Sequence, residues 1–331
     1  MPPAHTFFIA TRGSALALAQ ANAVLAQCRT AFPRLKFALK IITTTGDKLQ
    51  TASLAREGKS LPKGLFTKEL EVALLEHHAD LAVHSLKDLP TELPPGLHLG
   101  AVGKRADVRD VLIYRAAKRI PEPSQGRGLK PKLTIKGLPK GATVGTSSTR
   151  RKSQLLDCRP ELNIVELRGN VLTRLQKLAD QPELDAIILA AAGLQRLHFH
   201  ITPAGKLRGK GLPDGLLATI LAPEVMLPCV GQGALGFETR VGDARIAPIC
   251  ERLNHPQTWQ CVSAERAFLA AMGGGCQSPV AAYAEIIAKK IRLRAVSFRD
   301  PKIVRRGEGK ASVKEAVELG RELATELGAS G

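Results

Sequence analysis

The sequence predicts an α/β chain of two lobes followed by a separate C-terminal part. Three observations carry this. Short apolar runs that read as buried strands alternate with amphipathic helical stretches up to about residue 241. Several of those runs turn polar or basic at their carboxyl ends, where open α/β sheets bind ligands. Beyond residue 241 the order changes to helices, three strands and a last helix. A length of 331 residues exceeds one typical domain and asks for two or three. At 44% hydrophobic, the chain has enough apolar residues for ordinary cores.

Phe7 to Ala10 reads as a buried strand, and Thr11-Arg12-Gly13-Ser14 leads into a helix with the stripe Leu18, Ala21, Leu25, Cys28, Phe32. Gly13-Ser14 at a helix start is either an ordinary serine cap or an anion site, with Arg12 beside it. Lys36 to Thr45 is a strand. Residues 46–64 are polar and carry Lys48, Arg56, Lys59 and Lys63, a surface loop or a lid. Phe66 to His77 is an amphipathic helix. Asp80-Leu-Ala-Val-His-Ser-Leu-Lys-Asp-Leu-Pro90 begins as a strand compatible with burial on both faces and then turns polar. Lys87 and Asp88 at its end form either a solvated turn or the edge of a ligand site.

Leu97 to Gly103 and Val111 to Tyr114 are further strands. Arg115 to Lys140 holds eight Lys or Arg against one Glu and reads as a basic insertion or linker. A second α/β series starts at Ala142. Thr146, Ser147 and Ser148 sit at a helix N-terminus, and Arg150 and Arg151 fall in its first turn, where cations oppose the helix dipole. Such a local conflict is either the mark of a functional position or answered by a structural partner elsewhere, and the first reading is preferred. Arg168 ends the next strand, Arg174 lies early on the following helix, and Arg196 follows the apolar run Leu184 to Ala192. Arginines at these ends, with Arg12, Lys87 and Asp88 in the other half, suggest two lobes facing a shared cleft. Residues 199–215 are another Gly- and Lys-bearing insertion, and Leu216 to Leu221 is expected to be helical. Met226 to Arg240 alternates apolar residues with glycines, which fits a strand pressed against backbone or ligand and returning to the first lobe.

Helices are expected at 244–253 and 259–271, strands at 280–287, 291–298 and 302–308, and a helix at 312–327. Between them, Met272-Gly-Gly-Gly-Cys276-Gln-Ser-Pro279 is either a plain turn or a loop presenting an accessible thiol.

A formal charge of +18 points to nucleic acid, an anionic membrane surface or a heavily carboxylated or phosphorylated ligand. Aromatic content of 4% leaves few stacking surfaces for single strands. The six cysteines are scattered, with no C-x-x-C, so free thiols in a reducing, cytoplasmic-type compartment are expected. The N-terminus lacks a signal-peptide pattern, and no run reaches the length of a membrane span.

Seven motifs in order resemble the porphobilinogen deaminase (hydroxymethylbilane synthase) family. They are Arg12-Gly-Ser-Ala-Leu-Ala-Leu18, Lys63-Gly-Leu-Phe66, His84-Ser-Leu-Lys-Asp88, Gly145-Thr-Ser-Ser-Thr-Arg-Arg151, Leu167-Arg-Gly-Asn-Val171, Val230-Gly-Gln-Gly233 and Gly274-Gly-Cys-Gln-Ser-Pro279. The resemblance implies three domains. Residues 1–105 with 220–241 and residues 106–219 would be two lobes like those of a solute-binding protein, and 242–331 a smaller domain with an open-faced sheet and the cysteine loop. It implies a transferase of tetrapyrrole and heme biosynthesis, a monomer acting on porphobilinogen and the growing polypyrrole. Neither a membrane nor a nucleic acid is implied as partner. Cys276 would hold a dipyrromethane cofactor by a thioether, and Asp88 would be catalytic. Arg12, Ser14, Lys87, Thr146, Ser148, Arg150, Arg151, Arg168, Arg174 and Arg196 would bind cofactor and substrate carboxylates, with Lys59 and Lys63 on a mobile loop and no metal. The insertions near 116–140 and 199–215, and Thr149 before the paired arginines, depart from the family pattern. Two rival readings explain less. A two-lobed anion-binding receptor has no need of Cys276, and a nucleic-acid-binding protein using the basic insertion leaves Asp88 and the cysteine loop without purpose.

Overall fold

The computed structural model describes residues 6–47, 65–116, 132–275, 277–300 and 302–328. The chain divides into two units, residues 1–106 with 229–331 and residues 107–228.

The first unit opens with β1 (Thr6–Arg12), α1 (Ala15–Ala31), β2 (Lys36–Ile42), α2 (Lys68–Leu75), β3 (Leu81–Ser85) and β4 (Leu97–Val102). β1 pairs in parallel with β2 and β3. One face of the sheet packs Ile9, Leu81 and Val83 against Val24, Leu25 and Cys28 of α1. The other packs Ala10 and Ala82 against Leu70 and Leu74 of α2. Covered on both faces, these strands read as continuous apolar runs. The buried stripe of α1 is Gln20, Ala21, Val24, Leu25 and Cys28, displaced from the expected one at its start. Gln20 replaces Leu18 because its amide donates to Ser85 Oγ at 2.9 Å, so burying it leaves no orphaned donor.

The second unit runs β5 (Asp110–Arg115), β6 (Thr143–Gly145), α3 (Thr149–Cys158), β7 (Asn163–Val165), α4 (Val171–Asp180), β8 (Ala186–Ala190), α5 (Ala191–Arg196), β9 (His200–Ile201), β10 (Leu207–Arg208) and β11 (Leu216–Leu221). Its sheet order is β11-β5-β8-β6-β7. Leu216–Leu221 is therefore not the expected helix; it pairs antiparallel with β5 along its whole length. Thr219 and Ile220 are β-branched, and Gly215 at φ +76 starts the run afresh. Of the basic stretch at 116–140, residues 117–131 lie outside the described residues. Ile135 and Leu138 are buried in the core and make that end part of the fold. The insertion at 199–215 contains the β9–β10 hairpin.

The chain then contributes β12 (Leu235–Arg240) to the first unit, antiparallel between β3 and β4. The sheet order there is β2-β1-β3-β12-β4. Read from the opposite edge, the second sheet, β7-β6-β8-β5-β11, repeats these strand directions: three parallel strands, one antiparallel, one parallel again. The second crossing between units falls after Pro228, later than the expected 219/220 boundary, because β11 and the segment behind it stay with the second unit.

The remainder is α6 (Ala247–Leu253), α7 (Pro256–Ala271), β13 (Val280–Ile287), β14 (Lys290–Asp300), β15 (Ile303–Ser312) and α8 (Ala316–Glu326). The three strands form an antiparallel meander. Ala282, Ala284, Ile291 and Leu293 face Phe268 of α7 and Leu319 and Leu323 of α8 in one core. The other face carries Glu285, Arg292, Arg294, Glu308 and Lys310 in ion pairs, which leaves the sheet open to water on that side.

Candidate active site

β3 is buried along most of its length, and its polar groups are met before it ends. His84 Nε2 lies 2.9 Å from Glu238 Oε2 on β12, both buried, and Ser85 Oγ is held by Gln20. A single 3-10 turn, Leu86–Asp88, follows. Leu86 is buried beneath Gly231 and Gly236, where an added Cβ would approach its side chain to 3.0 and 2.8 Å. The backbone thus turns Asp88 outward. Asp88 is exposed, and its carboxylate has no hydrogen bond or ion pair among the described residues. Lys87 beside it is half-buried.

Arg12, at the end of β1, pairs with Asp47 and lies over the Phe66 ring, 4.2 Å from its centroid. Burial pushes the Asp47 carboxyl up, but hydrogen bonds from Arg12 and Thr44 outweigh it and hold the group below its usual range. Ser14 caps α1, its Oγ accepting from the Ala17 N–H at 3.3 Å.

In the second unit, Ser148 caps α3, and its own N–H donates to Thr146 Oγ1 at 3.2 Å. Arg150 and Arg151 are only 3% and 5% exposed. They converge on Asp110, the first residue of β5, at 2.8 and 2.7 Å. Arg150 Nη1 also donates to Leu227 O, and Arg151 Nη1 to Ile188 O. Burial pushes the Asp110 carboxyl up, yet the two guanidiniums prevail and hold it well below the usual range. The conflict with the helix dipole therefore has a local answer, a carboxylate that sequence reasoning missed. A single Asp before an apolar run reads as a turn residue; only the paired arginines across the sheet mark it as buried.

Arg168 is 57% exposed and pairs with Glu166 at 2.6 Å. Arg174 Nε donates to Gly169 O at 2.7 Å. Burial pushes the Arg196 guanidinium down to about 10. The structure thus gathers Thr146, Ser148, Arg150 and Arg151 at one strand–helix junction, and sets Arg168 and Arg174 at the next.

Lys59, Lys63 and Cys276 lie outside the described residues. Around the cysteine, Gly274 N–H donates to Leu269 O at 3.0 Å and Gly275 N–H to Ser278 Oγ at 2.9 Å, so the glycine run folds back on the end of α7. The five described cysteines are free. Burial pushes the thiols of Cys28, Cys250 and Cys261 up to about 11, which leaves them inert as nucleophiles.

Comparison with known proteins places this arrangement. Residues 7–248 match the family model described as porphobilinogen deaminase, dipyromethane cofactor binding domain. Residues 259–329 match the porphobilinogen deaminase C-terminal domain. The chain is similar to porphobilinogen deaminase of Moorella thermoacetica, 44% identical over 324 residues, which is 98% of this chain and 93% of that protein. It is similar to the Desulforamulus reducens enzyme at 40% over 328 residues, 99% of this chain and 96% of that one. By both measures the chain belongs to the porphobilinogen deaminase family.

Proposed function

We propose that this chain joins four porphobilinogen units, each losing ammonia, on a dipyrromethane primer held by Cys276, and releases hydroxymethylbilane by hydrolysis. Asp88 is the carboxylate that serves the reacting pyrrole. Membership of the family makes the chain a transferase of tetrapyrrole biosynthesis with a dipyrromethane cofactor.

The residues present fit that cofactor. A pyrrole bearing acetate and propionate groups asks for cations on its periphery and a carboxylate for its ring N–H groups. In the second unit, two buried guanidiniums share one carboxylate, which leaves a positive charge in surplus. The Nε groups of both have no hydrogen-bond partner among the described residues. A buried donor without a partner is costly, and it is the surplus charge rather than these enclosed Nε atoms that attracts a carboxylate. Arg150 and Arg151, with Thr146, Ser148, Arg168, Arg174 and Arg196, would take such groups, as would Arg12, Ser14 and Lys87 of the first unit. Bound through Cys276, the dipyrromethane supplies the pyrrole carbon to which the first substrate unit is joined.

The chain's own part centres on Asp88. When the aminomethyl C–N bond of porphobilinogen breaks, the electron pair leaves with nitrogen, which needs a proton. A carboxyl group at that position passes one across. The methylene-pyrrole left behind is cationic, and the resulting carboxylate stabilises it most where charge develops. Once the new C–C bond has formed, the same carboxylate takes the proton released from the attacking ring carbon.

The observation that carries this is the exposed carboxylate of Asp88, without a hydrogen bond or ion pair among the described residues and presented on a turn packed under Gly231 and Gly236. We expect Asp88→Asn to keep its fold and lose about 10²-fold or more in turnover; near-normal turnover would refute the assignment. Intact mass of the denatured protein should show a dipyrromethane adduct that Cys276→Ser lacks. An unmodified chain from a host that makes the primer would count against the reading. The same reading takes the chain as a monomer with no nucleic-acid partner, in a cytoplasmic-type compartment. The free thiols of the five described cysteines support the compartment and the few aromatic residues the lack of a nucleic-acid partner, while the monomer rests on the family resemblance alone.

A further inference from the structure

We propose that Arg266 is a positioning residue for Asp88, tying the turn that presents this carboxylate to the helix that leads into the cysteine loop. The inference rests on the reading of Asp88 given above and adds a residue to it.

Arg266 lies on α7, which ends at Ala271, shortly before Cys276. Its guanidinium spans three successive carbonyls directly behind Asp88. Nη1 donates to Leu89 O at 3.2 Å, and Nη2 donates to Pro90 O at 2.7 Å and Thr91 O at 3.3 Å. The preceding residue, Glu265, is fully buried and holds the segment that packs on the other side of this turn. Its Oε2 accepts the Gly231 N–H at 2.8 Å. Gly231 is the residue that leans on Leu86 and Lys87, so close that a Cβ would sit 3.2 Å from the Lys87 nitrogen. Glu265 is itself immobilised by Arg105 at 2.6 and 3.0 Å and by the Ala284 N–H of β13 at 2.8 Å. One helix therefore acts on both sides of Asp88, Arg266 directly on residues 89–91 and Glu265 through Gly231, which packs on Leu86 and Lys87.

The choice of arginine supports positioning over simple stability. Leu89 is buried and Pro90 and Thr91 are half-buried, so their carbonyls call for a protein partner even though ordering a long side chain costs rotamer entropy. A planar fork with several donors in fixed geometry is the side chain suited to locking successive carbonyls at one spacing; an ammonium reaches them one at a time. What the arginine fixes is the distance between the carboxylate's turn and α7.

The test uses the full-length protein carrying its primer. In Arg266→Met, the amides of residues 86–89 and 91 should exchange with deuterium at least about 10-fold faster, while those of β1 and β8 are unchanged. Turnover should fall about 10- to 100-fold at saturating porphobilinogen, with KM within about 2-fold, because misplacement of a reacting group acts on kcat. The adduct mass should remain. Arg266→Lys should recover part of the turnover, and it serves as the variant if Arg266→Met does not fold. Faster exchange at those amides with wild-type kcat, or lowered kcat with unchanged exchange, would overturn the proposal. So would loss of the adduct, which would place Arg266 in primer assembly. If Asp88→Asn retains turnover, the reading of Asp88 fails by itself, and the exchange result still reports whether the clamp exists.

Discussion

Arginines that look alike in the sequence do different work, and burial separates them. Arg151 is paired with Asp110 and Ile188 O in the interior of the second unit. Arg168 meets Glu166 in water, and an exposed pair of that kind contributes about 0–1 kcal/mol. Breaking a buried pair from one side costs about 3–5 kcal/mol, because the partner charge is left without compensation. Arg151→Gln should therefore lower the urea midpoint of the second unit markedly and lose activity with the fold. Arg168→Gln should leave the midpoint within error and stall elongation, so that enzyme-bound intermediates accumulate as extra bands on native gels. An unchanged intermediate pattern in a folded Arg168→Gln protein would remove Arg168 from the binding set. The sequence marked both arginines through their motifs. It could not distinguish them, since the difference resides in Asp110, a residue 41 positions before Arg151 that only the fold of the second unit brings to it.

At the scale of elements, the 3-10 turn after β3 depends on a backbone passing over it. Gly231 has φ +71, and a Cβ there would meet Leu86 Cγ at 3.0 Å and the Lys87 nitrogen at 3.2 Å. Gly211, in the insertion behind the β9–β10 hairpin, has φ +77 with open space around it. Gly211→Ala should cost only the conformational strain, about 1–2 kcal/mol, and leave turnover unchanged. Gly231→Ala should cost more than that and lower kcat, because the added methyl displaces the turn that carries Asp88. Equal stability losses with equal turnover in the two variants would show that packing over the turn is irrelevant to catalysis. The Val-Gly-Gln-Gly run was legible as a close approach, and so were most strands and helices, because their periodicities are strong. Leu216–Leu221 was not legible: its apolar residues are compatible with either period, and pairing with β5 decided the outcome. The sequence could show that Gly231 needed room; it could not show that Leu86 and Lys87 were what occupied it.

For the whole molecule, charge and pH bring both units under one prediction. In the second unit Asp110 is held well below the ordinary carboxyl range, against the upward push of burial, by Arg150 and Arg151. In the first unit Asp243 is lowered by hydrogen bonds from Arg245 and Arg240, against burial, and Asp47 is lowered by Arg12 and Thr44, also against burial. A carboxyl lowered in the folded state contributes stability that is fully present above its unfolded pKa, about 3.9 for Asp, and is lost as pH falls through the folded value. Glu71 acts in the opposite sense. Burial raises it, with the Glu238 charge adding to the effect, so its ionised form costs stability above the unfolded value of about 4.3 and the cost is relieved as pH falls. Asp107 and Glu308 are lowered as well, by arginine partners, and Glu161 by its own backbone N–H and an arginine. Among the described residues six lowered carboxyls therefore stand against one raised, and acid is destabilising on balance. A chain of formal charge +18 adds self-repulsion as its carboxylates are neutralised. Urea midpoints should therefore be nearly flat from neutral pH to about 5 and fall steeply below about 4. Asp110→Asn should be less stable at neutral pH, and the acid loss of its second unit should be shallower than in the parent, since the titrating group is gone. Parallel acid profiles for parent and variant would mean that Asp110 does not carry the second unit's pH dependence.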